Sequence, residues 1–239
     1  MKGLVKLIFL IAVLLFVKVV VAEEDSQYYV GLSGGFTDSI LGSPDNGPAT
    51  AGAAFSGQPY GNNLDLDYTL GIKAGWLHSD YWRFDLAYQH LGGDMDWQTR
   101  FPGVPVDGIF AADFESNVIL VNAYLSLKSF GKFKPYAGVG IGAAFNELDS
   151  ISEAAVGIPV FAFPEDNTTT EFAYRFMLGG NYSLTDAWKL DFELSMMNIG
   201  DFSSGNSRTF LGGAQQPIGK YKFEDTWIGS ATIGIQYHF

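Results

Sequence analysis

Eight segments in which apolar residues alternate with small or polar ones, an uncharged apolar face in each, and connections that run short and long by turns together predict one fold class. It is all-β: a transmembrane eight-stranded antiparallel up-and-down β-barrel, with lipid outside and polar groups within. The length of 239 residues suits one such barrel, and 47% hydrophobic residues exclude a disordered chain.

The chain opens with a targeting segment. Lys2 and Lys6 make a positive start, Leu7 to Val17 is apolar without a break, and Val20, Val21 and Ala22 suit cleavage before Glu23. Residues 1–22 are therefore expected to be a signal peptide cut after Ala22. Lys18 leaves the run too short for the rival reading, a membrane anchor. Beyond Ala22 no stretch approaches the ~20 apolar residues of a spanning helix, so residues 23–239 are expected to form a single outer-membrane β-barrel domain. Losing the leader takes 14 Lys+Arg down to 11 against 26 Asp+Glu, a net charge of −15.

The strands follow in order. Tyr28, Val30, Leu32 and Phe36 form the apolar face of the first. The second is the most regular, with Leu64, Leu66, Tyr68, Leu70, Ile72, Ala74 and Trp76 on one face and Asp65, Asp67, Thr69, Gly71, Lys73 and Gly75 on the other. The third presents Trp82, Phe84, Leu86 and Tyr88 outward and Arg83, Asp85 and Gln89 inward. Val118 to Val121 is apolar on both faces; Ile119, Val121, Ala123 and Leu125 are assigned outward and Asn122, Tyr124 and Ser126 inward. The fifth carries Pro135, Ala137, Val139, Ile141, Ala143 and Phe145 opposite Tyr136, Gly138, Gly140 and Gly142. Phe172 to Tyr182 is the sixth, with Arg175 and Asn181 inward, and Trp188 to Met196 the seventh, with Lys189, Asp191 and Glu193 inward. The last runs from Trp227 to Phe239, with Ser230, Thr232 and Gln236 inward.

A soluble sandwich also alternates, but its apolar faces are hidden and do not gather aromatics at strand ends. Here Tyr28, Trp76, Trp82, Tyr182, Trp188 and Tyr237 fall there, as rings at a bilayer interface do. The connections 78–81, 128–132 and 185–187 are short, whereas 37–63, 93–113, 146–168 and 201–224 are long. Short periplasmic turns alternating with long extracellular loops are the asymmetry of an outer-membrane barrel. Acidity argues against a nucleic-acid partner, and the absence of cysteine excludes a disulfide scaffold, a thiolate metal site and a cysteine nucleophile. The negative charge, spread through lumen and loops, says little about partners.

The C-terminus, with Thr232, Gly234, Tyr237 and a terminal Phe239, resembles the terminal signal of bacterial outer-membrane barrels. Lys134-Pro-Tyr-Ala-Gly-Val-Gly-Ile-Gly142, Phe172-Ala-Tyr-Arg175 and Leu184-Thr-Asp-Ala-Trp-Lys-Leu-Asp191 are similar to the opacity-protein, OmpA and OmpX group of eight-stranded barrels. The Pro-Tyr-x-Gly-x-Gly strand is shared with the OmpW group. The resemblance covers residues 27–239 and implies partners in the barrel-assembly machinery and outer-membrane lipid. The peptidoglycan-binding role of OmpA-type proteins is not carried over.

No catalytic residue, cofactor site or metal site is expected. His78 falls in a turn, and His238 is expected at the interface or in solvent. Ser195, expected opposite about Thr232, lies ~20 Å along the strand from His238 at ~3.3 Å per residue, too far for a nucleophile and its base. His90 with Asp94 and Asp96 makes only a weak metal set. The inward charges Lys73, Arg83, Asp85, Arg175, Asp191 and Glu193 are expected to plug the lumen, with Lys73 against Asp85 and Arg175 near Glu193. Such a network either only stabilises the barrel or gates a narrow conduit. In the loops Phe101, Val106, Val160, Phe161 and Phe163 are apolar, which marks a binding patch or strands that continue above the membrane and pack on each other. The reading is a monomeric barrel with a structural or surface-interaction role, its loops contacting a host or envelope ligand. Transport of small solutes or apolar molecules in the OmpW manner is the alternative, and an envelope enzyme is the least favoured.

Overall fold

The computed structural model describes residues 27–41, 58–101 and 105–239; the expected signal peptide lies outside them. Among the described residues thirteen strands follow in sequence: β1 (Tyr28–Leu41), β2 (Gln58–Leu77), β3 (Trp82–Arg100), β4 (Gly108–Ser126), β5 (Phe133–Ala155), β6 (Ile158–Pro164), β7 (Asn167–Ser183), β8 (Trp188–Asn198), β9 (Phe202–Ser203), β10 (Ser207–Phe210), β11 (Gln215–Pro217), β12 (Lys222–Phe223) and β13 (Trp227–His238). Eight of them, β1 to β5, β7, β8 and β13, form a closed antiparallel ring, with β5 on β7 and β13 back on β1. The start of β1 and the end of β13 meet at the end with the short turns, where Tyr28 and Phe239 exchange backbone hydrogen bonds of 3.3 and 3.0 Å. Closure matters physically, because in lipid every backbone N–H and C=O must find its partner within the protein.

Along each strand the polarity of the two faces inverts. Near the turn end β3 points Trp82, Phe84, Leu86 and Tyr88 outward and buries Arg83, Asp85 and Gln89. Farther along, the same inward positions hold Leu91, Met95 and Trp97, while Asp94 and Asp96 face out. β4 repeats the inversion: Asn122 and Tyr124 give way inward to Leu120, Val118, Phe114 and Phe110, and outward Ile119 gives way to Glu115 and Asp113. In β5 the outward series Val139, Ile141, Ala143, Phe145 turns into Glu147 and Asp149. A strand that passes from lipid into water must switch its apolar face from outside to inside, and the switch marks the membrane boundary.

β2 achieves the switch by a bulge. Leu66 pairs with Gly93 and Tyr68 with Gly92, so Asp67 is an extra residue between them. The expected single apolar face from Leu64 to Trp76 is therefore two half-faces. Tyr68, Leu70 and Trp76 face lipid, while Leu64 and Leu66 point inward and are buried. A slip of one residue flips every side chain beyond it.

The long connections are also largely strand. β3 and β4 continue into the segment 93–113 and leave only residues 101–107 between them. β5 runs on to Ala155 and turns back through β6, and 201–226 contains four short strands. Residues 42–57 lie outside the described set.

The segment 201–226 does not stand over the barrel but enters it. Phe202, Ile218, Tyr221 and Phe223 are buried in one cluster with Leu91, Met95, Trp97, Phe110, Phe114 and Leu148 from the barrel wall. Trp97 stacks on Phe110 at 5.0 Å and meets Phe223 edge-on at 5.3 Å, and Phe114 meets Phe202 at 4.8 Å.

The bulge predicts opposite labelling at neighbouring positions. In the folded protein Asp65→Cys reacts readily with a water-soluble maleimide and Leu66→Cys resists it. The reverse order would mean that β2 runs without the bulge.

Candidate functional site

Side chains fill the lumen in two storeys. The lower storey, near the turn end, is polar. Lys73 Nζ bonds Asp191, and Arg175 bonds Glu193. Arg175 also donates to Gln89 Oε1 at 2.7 Å, and Gln89 in turn to Thr69 at 2.7 Å. The Tyr136 hydroxyl lies 2.8 Å from Asp191 and 3.0 Å from Glu193, joining the two ion pairs into one network. Asp85 accepts from Tyr29 and from Asn122, each at 2.7 Å. Arg83 is held by rings rather than by a carboxylate: its guanidinium lies 4.1 Å from the centre of Tyr124, 4.6 Å from Tyr136 and 5.5 Å from Tyr29, and donates to Asn181 at 2.6 Å.

The structure thus brings all six sequence-named charges into one layer, but it rearranges their pairing. Lys73 lies opposite Ala87 on the ladder, and Asp85 opposite Gly75. The long lysine stem crosses the lumen to Asp191 on β8, leaving Asp85 to Tyr29 and Asn122. Arg175 and Glu193 do meet. Two glycines make room for the network. A Cβ at Gly179 would stand 2.6 Å from the Tyr136 hydroxyl, and one at Gly75 would stand 2.6 Å from the Asp85 Cβ and 2.9 Å from the Tyr29 ring. A cavity of about 20 Å³ among Lys73, Gln89, Asn122, Arg175, Glu193 and Thr232 has room for one water. Nearby, Asn122 Oδ1 and Arg175 Nε are buried without a hydrogen-bond partner.

The upper storey is the apolar cluster around 201–226, fastened by a few polar groups. Asn146, fully buried in β5, donates to the Ile199 carbonyl at 2.9 Å and to that of Asp201 at 3.2 Å, and accepts from Ser116 at 2.7 Å. Asn167 donates to Ser203 and Thr169 to the Asp201 carbonyl. Arg208 bonds Glu153 at 2.5 Å and Gln216 at 2.7 Å. Burial pushes the Glu153 carboxyl above its ordinary range, against the pull of Arg208. At the rim, the Tyr60 hydroxyl bonds Asp107 at 2.6 Å and, with Arg100, holds that carboxyl below its usual range.

Of the upper storey, sequence marks only Phe101 as a site residue, and it does so as part of a loop patch rather than of an interior. The signal for the others was present: Leu91, Met95, Trp97 and Thr99 continue the inward parity of Gln89. The apolar loop residues are dispersed. Phe101 packs against the interior cluster, Val106 is half-buried, and Phe161 stacks on Phe210 at 6.4 Å. Val160 and Phe163 are exposed. Of the terminal residues, Thr232 and Gly234 face inward, whereas Tyr237 faces out and meets Trp188 at 4.9 Å and Phe239 at 5.9 Å. His238 is buried against Tyr29 at 5.1 Å, not solvated, because β13 continues its inward parity to the penultimate residue. Ser195 pairs with Ser230 rather than Thr232, which places it still farther from His238. His90 contacts Asn117 and Tyr68 rather than Asp94 or Asp96, which share its outward parity farther along β3.

Two outcomes follow from this geometry. Glu193→Gln leaves Arg175 buried without its anion and lowers stability by ~3–5 kcal/mol in a urea titration of the refolded barrel, while the double variant Arg175→Gln, Glu193→Gln recovers part of the loss. Equal midpoints for wild type and Glu193→Gln would show that the pair contributes nothing. Phe223→Ala removes a ring worth ~3–5 kcal/mol in a packed core; it loosens 201–226 first and speeds tryptic cleavage at Lys220 and Lys222 while the barrel stays folded.

Comparison with known proteins agrees with this architecture. Residues 7–239 match the family model described as outer membrane protein beta-barrel domain. A Rickettsia bellii protein named "Putative adhesin" is 31% identical over 179 residues, covering 74% of this chain and 73% of that protein. An uncharacterized Brucella suis protein is 26% identical over 170 residues, 64% of this chain; the chain spans 58% of that relative's length. Among solved structures, OprG from Pseudomonas aeruginosa superposes with a TM-score of 0.52 at 17% identity, covering 90% of this chain and 98% of OprG. Neisserial surface protein A gives 0.50 at 17%, covering 91% and 100%. At such identity these two speak for the fold alone. Closed ring, lipid-facing band and family match agree, and the chain belongs to the bacterial outer-membrane β-barrel family.

Proposed function

We propose that this protein works at the cell surface, as a monomeric outer-membrane barrel that does not conduct and that recognises a ligand with its extracellular end. The observation that carries this reading is the two-storey filling of the lumen. A path through the barrel would have to part the Lys73–Asp191 and Arg175–Glu193 pairs and also withdraw Phe202, Tyr221 and Phe223 from the aromatic cluster. Opening either storey leaves buried charges or apolar surface without partners. Within the lipid-facing band the closed ring leaves no free strand edge, which favours a monomer. The relative named "Putative adhesin" supports a surface role. In this reading residues 1–22 are the leader removed on export, and Thr232, Gly234, Tyr237 and Phe239 are the signal that the barrel-assembly machinery reads.

Conduction separates this function from transport. Refolded residues 23–239 in a planar bilayer are expected to stay silent or open rarely. Cells of a non-adherent laboratory strain that display the protein are expected to gain adherence to cultured host cells. A steady, sizeable conductance in the unaltered protein gives first place to transport. Silence together with unchanged adherence would leave a structural role.

A further inference from the structure

At the loop end the sheet extends into a small leaf. Past Leu148 β5 leaves β7, and Ser150 sits in the left-handed region at φ 53°. Its tip then pairs with β6, β6 with β10, and β10 with β11. Glu153, Ala162, Pro164 and Arg208 are buried on the side toward the barrel mouth. The tip and the far side expose apolar groups: Val156, Ile158, Val160, Phe163 and Leu211 are 39–70% exposed. This surface stands beyond the acidic outward face, in water, where a cluster of apolar side chains is costly unless something covers it.

The charges around the leaf restrict what that cover can be. Glu165 and Asp166 flank it and are exposed, and Asp149 lies close enough to Asp166 to push its pKa up together with burial. Across 147–171 and 201–219 the one basic residue is Arg208, buried against Glu153; the exposed Lys220 and Lys222 follow β11, where the chain turns back toward the barrel and Lys222 pairs with Ser203. The neighbouring outward row is acidic as well: Asp65 pairs with Asp94, Asp94 with Asp113 and Asp113 with Asp149 directly across the ladders. An acidic protein segment or an anionic lipid surface would be repelled, and a neutral apolar one would gain nothing from the field. A segment with an apolar stripe flanked by lysine or arginine gains both burial and attraction.

We propose that this leaf is a docking face for a basic protein segment with an apolar side, its apolar residues covering Val160, Phe163 and Leu211 and its cations meeting Glu165, Asp166 and Asp149. The proposal rests on the surface-recognition reading and names the chemistry of the partner. The test uses the full barrel in phosphatidylcholine nanodiscs, with empty discs as the control, and three labelled peptides built of Lys and Leu, of Glu and Leu, and of Lys and Ser. The Lys/Leu peptide is expected to bind best, with an affinity that falls as salt rises. Val160→Ser, Phe163→Ser and Leu211→Ser together weaken it by about tenfold or more with the salt dependence unchanged. Glu165→Gln with Asp166→Asn flattens the salt dependence. These positions are exposed, and retention of the heat-modifiable band on SDS gels confirms folding.

Equal binding of the Glu/Leu or Lys/Ser peptide, or no effect of the triple variant, overturns the proposal. So does a triple variant that loses affinity only for anionic vesicles, which would make the face a lipid contact, or one that only abolishes self-association. Each of these leaves the conductance result untouched, whereas a steadily conducting barrel removes the surface-recognition reading whatever the peptides do.

Discussion

The constraint on which the structure depends is that each long strand crosses from lipid into water. In lipid the outward side chains must be apolar and the inward ones can be polar. In water the requirement reverses. β3 and β4 meet it by changing residue type at fixed parity, from Arg83, Asp85 and Gln89 to Leu91, Met95 and Trp97 in β3, and from Asn122 and Tyr124 to Val118, Phe114 and Phe110 in β4. β2 meets it by changing parity at Asp67. The two-storey interior follows. Below the boundary the lumen is lined by charges; above it the strands enclose an apolar core that eight strands alone do not fill, and Phe202, Ile218, Tyr221 and Phe223 complete it.

The polar storey obeys a different rule. Charges withdrawn from water are tolerable only when paired or hydrogen-bonded, and in some proteins such networks serve specificity more than net stability. Tyr136 reaches two carboxylates from different ion pairs, and Lys73 ties β2 to β8 across the barrel. A register slip on either strand would break these contacts and strand several charges at once. The network thus ties the register of β2 and β8 to specific partners, which their apolar lipid faces do not supply.

The ring of eight strands was legible because period two is a local property of sequence, and a run such as Trp82 to Gln89 displays both faces at once. The parity of β4 was legible even through Val118–Val121, since Asn122 and Tyr124 set it. Three things were not. The bulge at Asp67 sits in a stretch where both faces alternate perfectly: Leu64 and Leu66 continue the pattern of Tyr68 and Leu70 although they face the other way. Lys73 was assigned the nearest anion along the ladder, whereas its side chain is long enough to cross a narrow lumen. The upper storey was hidden because an aqueous core and a lipid-facing band look alike in composition, and Trp97 or Phe110 reads as loop if strands are assumed to end at the membrane.

Charge is where the sequence reading and the structure differ in consequence. A net charge summed over the chain has no direction. The fold sorts much of it: Lys128, Lys132 and Lys134 lie at the turn end, Lys73 with Asp191 and Arg175 with Glu193 neutralise one another in the lumen, and Arg100, Lys220 and Lys222 stay at the loop end. Asp38, Asp65, Asp67, Asp94, Asp96, Asp113, Glu115, Glu147 and Asp149 project from the outward face just past the apolar band. Several of these stand directly opposite like charges, an arrangement that costs stability. The cost is bearable because the strands are already fixed, by the lumen network below and by the aromatic core within. The interior therefore does more than close the barrel. It holds in register an exterior whose like charges weaken the ladders there, and so keeps a row of carboxylates in place just past the apolar band.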